Sequence, residues 1–264
     1  MRFEKYTIAY KNEIIALLSR CFGMSASESG IILEDALENG EYLLRFSDAA
    51  LASVALYKDV CLRFGDSEKK GTYIFGLCTA AEYRGSGLAS GLVREICENS
   101  DADYAVLIPE SPYMFPFYEK QGFQPVGCAA SFRVSAEKRV RVSRVDDVGK
   151  AYAAYRNAAE KYRDICLLSE SDFKASAALS PQTFIIGDGG VCLVGEDVEA
   201  FGDAETVRDI AASALDLLGI SGASVKTPTA SAPDNAELLR IGVIKPLRGE
   251  QPPECFYINN LFNR

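Results

Sequence analysis

The sequence predicts an α/β (α+β) protein, a mixed sheet flanked by helices. Three observations lead there. Short apolar runs of strand character cluster between residues 42 and 79. Amphipathic helical patterns stand on either side of them. A strand, a Gly-rich turn and a helix then follow one another over 72–98.

Taken in order, residues 3–9 read as a short strand. Over 11–21, Ile14, Ile15, Leu17, Leu18 and Cys21 share one face at helical spacing. A second helix is expected over 25–37, stopped by Asn39-Gly40. Strands follow at 42–46, 51–57 and 60–64. The run Gly65-Asp66-Ser67-Glu68-Lys69-Lys70-Gly71 is polar and bounded by glycine, so it reads as a turn. Residues 72–79 are apolar at odd and even positions alike, as in a strand covered on both faces near a sheet centre. A helix over 87–98 stacks Leu88, Leu92, Val93, Ile96 and Cys97, and 104–108 is another strand of buried type. Pro116 suits the first turn of a short helix that ends at Gln121-Gly122, before a strand at 123–126.

Residues 136–146 are charged and lack a period, so a boundary is placed there, dividing the chain into 1–135 and 136–264. Beyond it we expect a helix at 148–162, strands at 183–186 and 191–194, and a helix at 204–218. Asp203 is its expected N-cap and Gly219 its stop. Residues 223–226 and 241–245 are weaker strand candidates. No close internal sequence repeat is visible.

Composition narrows the chemistry. The 264 residues include no histidine, which removes Ser-His-Asp triads, Cys-His pairs and histidine metal clusters. Proton transfer must therefore use Glu, Asp, Tyr, Lys, Cys or water. The eight cysteines are scattered without a CxxC pair, so reduced thiols are expected rather than a disulfide framework or a metal site. A formal charge of −9 repels nucleic acid and suits a cationic small molecule. No run approaches the roughly 18 apolar residues of a membrane span, and the first residues lack the apolar core of a signal peptide. The expectation is a cytoplasmic protein without a membrane partner.

The informative stretch is Leu77-Cys78-Thr79 followed by Arg84-Gly85-Ser86-Gly87-Leu88-Ala89. A strand, a turn with two glycines and a helix make an anion cradle. The first helical N–H groups lack internal partners, the helix dipole adds positive charge, and glycine lets a phosphate approach the backbone. It is not a P-loop, because no Gly-Lys-Ser/Thr follows, nor the dinucleotide fingerprint, whose third glycine is missing.

Arg84-Gly85-Ser86-Gly87-Leu88-Ala89 resembles the Gln/Arg-x-x-Gly-x-Gly/Ala signature of the GNAT N-acetyltransferases. About thirty residues later, Phe117-Tyr118-Glu119-Lys120-Gln121-Gly122-Phe123 resembles the family's second signature, a short helix with a tyrosine followed by Gly-Phe. The resemblance covers roughly residues 1–130. It implies a GNAT mixed sheet and acetyl-CoA as cosubstrate, with no metal. Backbone groups of Leu77, Cys78 and Thr79 would pair with the pantetheine arm, and residues 84–89 would hold the pyrophosphate. An amine would attack the thioester directly, with Tyr118 protonating the departing CoA thiolate. The base is not readable: Glu34, Asp35, Glu38, Glu41 and Glu110 are all candidates.

Residues 242–247 and 256–262 resemble the C-terminal parts of multi-domain acetyltransferases of the enhanced-intracellular-survival type. That implies a second, degenerate GNAT-like α/β domain which shapes the acceptor pocket without binding CoA. The alternative is a small α/β domain that supports dimerisation, which leaves a homo-oligomer open. The expected function is N-acetylation of a small, cationic primary amine. Acylation of a protein amine, and a non-catalytic acyl-CoA sensor or interaction module with an inherited fold, are the alternatives.

Overall fold

The computed structural model of the chain describes residues 3–5, 8–47, 49–179, 182–248 and 250–258. β1 (Phe3–Lys5) pairs with β2 (Gly40–Ser47). A 3-10 turn, Ile8–Tyr10, then leads into α1 (Lys11–Phe22). The strand expected over 3–9 is thus shorter. Ile8–Tyr10 belong to the helix entry, where the Tyr10 ring packs 4.9 Å from Phe46; residues 6 and 7 lie outside the described residues. α2 (Ala26–Asn39) opens with a capping box: Glu28 N–H donates to the Ser25 hydroxyl, and Ser25 N–H donates to the Glu28 carboxylate.

β2, β3 (Ala50–Phe64) and β4 (Ser67–Thr79) form an antiparallel meander. The two strands expected at 51–57 and 60–64 are one. The polar run 65–71 is mostly strand, which corrects the expected turn. The chain reverses at Gly65-Asp66, and Ser67–Gly71 pair with Val60–Phe64. The charged side chains at 68 and 69 are exposed there, so their polarity does not oppose pairing. α3 (Leu88–Asn99) crosses to β5 (Tyr104–Leu107), which lies parallel to β4. α4 (Phe115–Glu119) and β6 (Gln124–Ser135) complete the first half.

The second half repeats this order. β7 (Val142–Val145), α5 (Val148–Ala159), β8 (Asp164–Leu167) and α6 (Glu170–Leu179) precede a meander of β9 (Thr183–Gly187), β10 (Gly190–Val194) and β11 (Val198–Phe201). α7 (Val207–Leu218) crosses to β12 (Gly222–Pro228), parallel to β11, and β13 (Glu237–Pro246) and β14 (Tyr257–Ile258) follow. α7 starts three residues later than expected. Asp203 caps the preceding turn instead, accepting from the Thr206 N–H at 2.9 Å.

The long sheet runs β1-β2-β3-β4-β5-β13-β6-β12-β11-β10-β9-β7, with β8 and β14 branching from β3. Its centre is an exchange. β13, from the second half, lies between β5 and β6 and pairs antiparallel with both. β6, from the first half, lies against β12. Each half therefore borrows core from the other. Val243 joins the cluster around Leu92, Ile96 and Tyr118, while Phe132 and Val134 join the cluster under α7. Helices cover both faces: α1 and α2 on one side of the first half, α3 and α4 on the other. A buried ion pair, Lys58 with Asp172, fastens β3 to α6. Among the described residues, no helix is long and apolar enough to cross a membrane.

Candidate functional site

β5 pairs with β4 only over Gly71–Tyr73, so the rest of β4 runs on past its last pair with β5. On its other side β4 follows β3 with one irregularity. Phe75 opposes Leu56 and Cys78 opposes Val54, which leaves one extra residue on β4. Gly76 sits there at φ +54°, and a Cβ on it would lie 2.5 Å from Leu56 Cδ1. The bulge shifts the alternation of side chains by one. Ile74 and Leu77, three apart, both face α3, and Cys78 faces α1.

The three backbone positions expected to meet a pantetheine arm lie just past this bulge. Leu77 and Thr79 are partly exposed and Cys78 is buried. The buried Ser53 hydroxyl donates to the Cys78 carbonyl at 2.7 Å and lies 2.8 Å from Thr79 Oγ1. The Thr79 carbonyl accepts from Arg84 Nε at 3.2 Å.

After a 3-10 turn, Ala81–Tyr83, the chain passes through Arg84-Gly85-Ser86-Gly87, all exposed, into α3. Gly85 and Gly87 have φ of +79° and +80°, and a Cβ on either would meet no atom within 4 Å. The turn needs glycine for its backbone angles. The empty space above it is where an anion can reach the backbone. Gly87 is the N-cap and supplies no side chain to the helix start. Leu88 is buried and anchors the helix below, and Ala89 is half-buried. The Ser86 hydroxyl donates to the Tyr83 carbonyl and braces the loop.

Tyr118 is 7% exposed, between Phe117 and Phe123 at ring distances of 4.9 and 5.9 Å. Leu77 packs on the same cluster, so the structure brings strand and tyrosine together across the gap between β4 and β5. Burial first, and then the Glu110 charge, push the Tyr118 hydroxyl above the usual phenol range. The helix ends as expected: Gly122 has φ +85°, and Phe123 N–H donates to the Tyr118 carbonyl at 3.2 Å.

The candidate bases do not converge. Glu34 is exposed and paired with Lys11 at 3.3 Å. The Asp35 side chain lies outside the described residues. Glu38 and Glu41 line a hollow of about 820 Å³ together with Glu95 and Asn99, at the far end of α3 from the cradle. Twelve helical residues put that hollow about 16 Å from Leu88. Of these carboxylates, Glu110 is the one whose charge is felt at Tyr118.

The second half presents the same strand–helix step without a cradle. β10 and β11 pair in continuous register, with no bulge. The entry to α7 is filled by the Asp203 carboxylate, which accepts from Thr206 N–H and Oγ1 and from Lys161 Nζ. These partners hold its carboxyl down at about 2. A fixed negative charge at a helix start excludes an incoming phosphate.

Sequence reasoning did not single out Gly76, Ser53 or the neighbourhood of Cys21. A glycine inside an otherwise continuous apolar strand was the available signal for the first. Nothing local pointed to the other two. Among the described residues no cluster of His, Cys, Asp and Glu could hold a metal ion. Of the C-terminal segment that resembled multi-domain acetyltransferases, Phe256, Tyr257 and Ile258 are buried, and residues 259–262 lie outside the described residues.

The family profile described as an acetyltransferase (GNAT) domain matches residues 2–126. No curated protein is significantly similar in sequence. Several solved structures share the fold. A GCN5-related N-acetyltransferase from Kribbella flavida is 20% identical, with 94% of this chain and 72% of that one covered and a TM-score of 0.68. A GCN5-related N-acetyltransferase from Anabaena variabilis is 15% identical over 93% and 73% of the two chains, with a TM-score of 0.72. Eis1 from Mycobacterium abscessus is 13% identical over 94% and 74%, with a TM-score of 0.67.

Proposed function

We propose, on the premise of the match of residues 2–126 to the GNAT acetyltransferase family profile, that the protein transfers the acetyl group of acetyl-CoA to the amine of a small, cationic acceptor in the cytoplasm. The observation that carries the reading is the turn Gly85-Ser86-Gly87, whose two glycines hold positive φ. It opens to solvent at an uncapped helix start and lies beside a bulged strand that has outrun its neighbour.

Residues 84–89 hold the pyrophosphate through backbone N–H groups, with Arg84 adding a cation. Leu77–Thr79 take the pantetheine amides as an added strand, because β5 leaves that edge unclaimed. The amine nitrogen then attacks the thioester carbonyl. The C–S bond breaks, and Tyr118 gives its proton to the departing sulfur. Burial keeps the proton on the phenol until the sulfur anion departs. Glu110, whose charge is felt at Tyr118, would draw a proton from the amine, directly or through water. The second half binds no CoA, because Asp203 occupies the matching helix start; it shapes the acceptor side.

Calorimetric titration with acetyl-CoA tests this. We expect one site per chain, and loss of binding on Gly87→Glu, which sets a carboxylate in the cradle. Two sites per chain, or unaltered binding by the variant, would remove the cradle assignment. Tyr118→Phe should keep acetyl-CoA affinity within about twofold while turnover with an amine falls by roughly 10²-fold. Unchanged turnover would exclude Tyr118 as the acid. A wild type that binds acetyl-CoA and acetylates no amine would instead favour a sensor.

A further inference from the structure

Two thiols that the proposed transfer does not use meet at the edge of the cradle. Cys21 lies in the last turn of α1 and Cys78 lies on β4 past the bulge, 57 positions away in sequence. The bulge at Gly76 is what turns Cys78 toward α1. The two side chains are within hydrogen-bonding reach of each other, and both are free. Cys21 Sγ also lies 3.6 Å from the Thr79 carbonyl, and its thiolate is an acceptor for the Arg84 guanidinium. Thr79 and Arg84 are the ends of the segment that joins strand to cradle.

The pair is unequal in access and in charge. Cys21 is partly exposed, whereas Cys78 is 6% exposed. The Cys78 thiol, and after it Arg84 and Arg20, hold Cys21 down at about 6, against the opposing effect of burial. Its hydrogen bond with Cys21, and then burial, push Cys78 well up. Cys21 therefore gives up its proton more readily than an ordinary cysteine, beside a protonated partner. The other described cysteines lack this arrangement. Cys61, Cys97, Cys166 and Cys192 are all pushed up, chiefly by burial.

We propose that Cys21 and Cys78 are a peroxide-sensitive pair whose disulfide loosens the cradle and weakens acetyl-CoA binding; the second part of this rests on the function proposed above. The Cys21 thiolate attacks one oxygen of hydrogen peroxide, the O–O bond breaks, and the other oxygen leaves and takes a proton as water. Cys21 is now a sulfenic acid. The Cys78 sulfur attacks it, the S–S bond forms, and the sulfenic oxygen leaves as a second water carrying the Cys78 proton. Two electrons pass from the two thiols to one peroxide. The sulfurs must close to about 2.05 Å, at the end of α1 that stops in Gly23, a left-handed C-cap. The disulfide carries no charge for Arg84. The segment 79–84 loses that partner at its cradle end, and the ordering of the cradle then falls on the incoming pyrophosphate.

The experiment treats the intact reduced protein with equimolar hydrogen peroxide, alkylates the remaining thiols, and maps linked peptides by mass. Acetyl-CoA affinity is then measured before and after treatment and after dithiothreitol. We expect a Cys21–Cys78 cross-link with loss of two hydrogens, an affinity weakened on the order of tenfold, and recovery on reduction. Cys21→Ser and Cys78→Ala should give no cross-link and no response of affinity to peroxide. A sulfinic acid at Cys21, or a cross-link to another cysteine, overturns the pairing. A Cys21–Cys78 disulfide with unchanged affinity overturns its effect on the cradle. A reduced protein that binds no acetyl-CoA refutes the proposed function and this regulation with it, while the mass still decides the thiol chemistry.

Discussion

The Tyr118 ring packs against Phe117 and Phe123, in the cluster that includes Leu92 and Leu107. Burial and the Glu110 charge both favour the protonated form, so the proton stays on the phenol to higher pH than in an exposed tyrosine. The sign of the pH effect follows. Raising the pH frees more of the acceptor amine for attack without stripping the acid. The rate should rise with pH and hold a plateau, with no descending limb below about pH 10, the ordinary tyrosine value. A descending limb near pH 8 in a kcat/KM profile with a fixed amine would contradict this role. Tyr118, Arg84 and the paired glycines were legible from sequence because their spacing is local: one turn, one short helix. Ser53 was not, since a serine in an apolar strand has no pattern that reveals which carbonyl it meets.

β4 and α3 are the elements that make the site, and Gly76 decides how they meet. An alanine there would take a left-handed conformation and press on Leu56. Gly219 has a similar φ, +70°, with nothing within 4 Å, and separates the two effects. Gly219→Ala should cost about 1 kcal/mol of strain alone. Gly76→Ala should cost about 2–4 kcal/mol, seen as a larger drop in Tm, and should weaken acetyl-CoA binding, which Gly219→Ala should not. Equal Tm shifts in the two variants would show that Leu56 yields without cost. α7 is the instructive contrast to α3. Both are amphipathic helices following a strand, but one begins at a bare glycine and the other behind Asp203.

At the level of the whole molecule, the exchange of β6 and β13 ties the halves together. Residues 1–135 alone would lose the strand that lies between β5 and β6, and with it Val243 and Ile244, both fully buried. That fragment should not fold to a protease-resistant monomer, because the β5 edge and the apolar faces beneath it are left bare. Limited proteolysis and size-exclusion chromatography check this; a stable monomeric fragment would mean that β6 can take the vacant place beside β5.

The two-glycine turn before α3, the short tyrosine helix with its Gly-Phe exit and the amphipathic faces of α1, α3 and α7 were all written in the residues, because each depends on side chains and backbone angles within about a dozen positions. The exchange at the sheet centre, the β4 bulge, the meeting of Cys21 with Cys78 and the repeated order of elements in the second half were not. Strand pairing joins backbone groups that every residue carries, so sequence cannot say which distant strand lies beside β5. Whether a second helix start is open or closed depends on a few side chains around Asp203 and Lys161, 42 positions apart, which only the folded chain brings into contact.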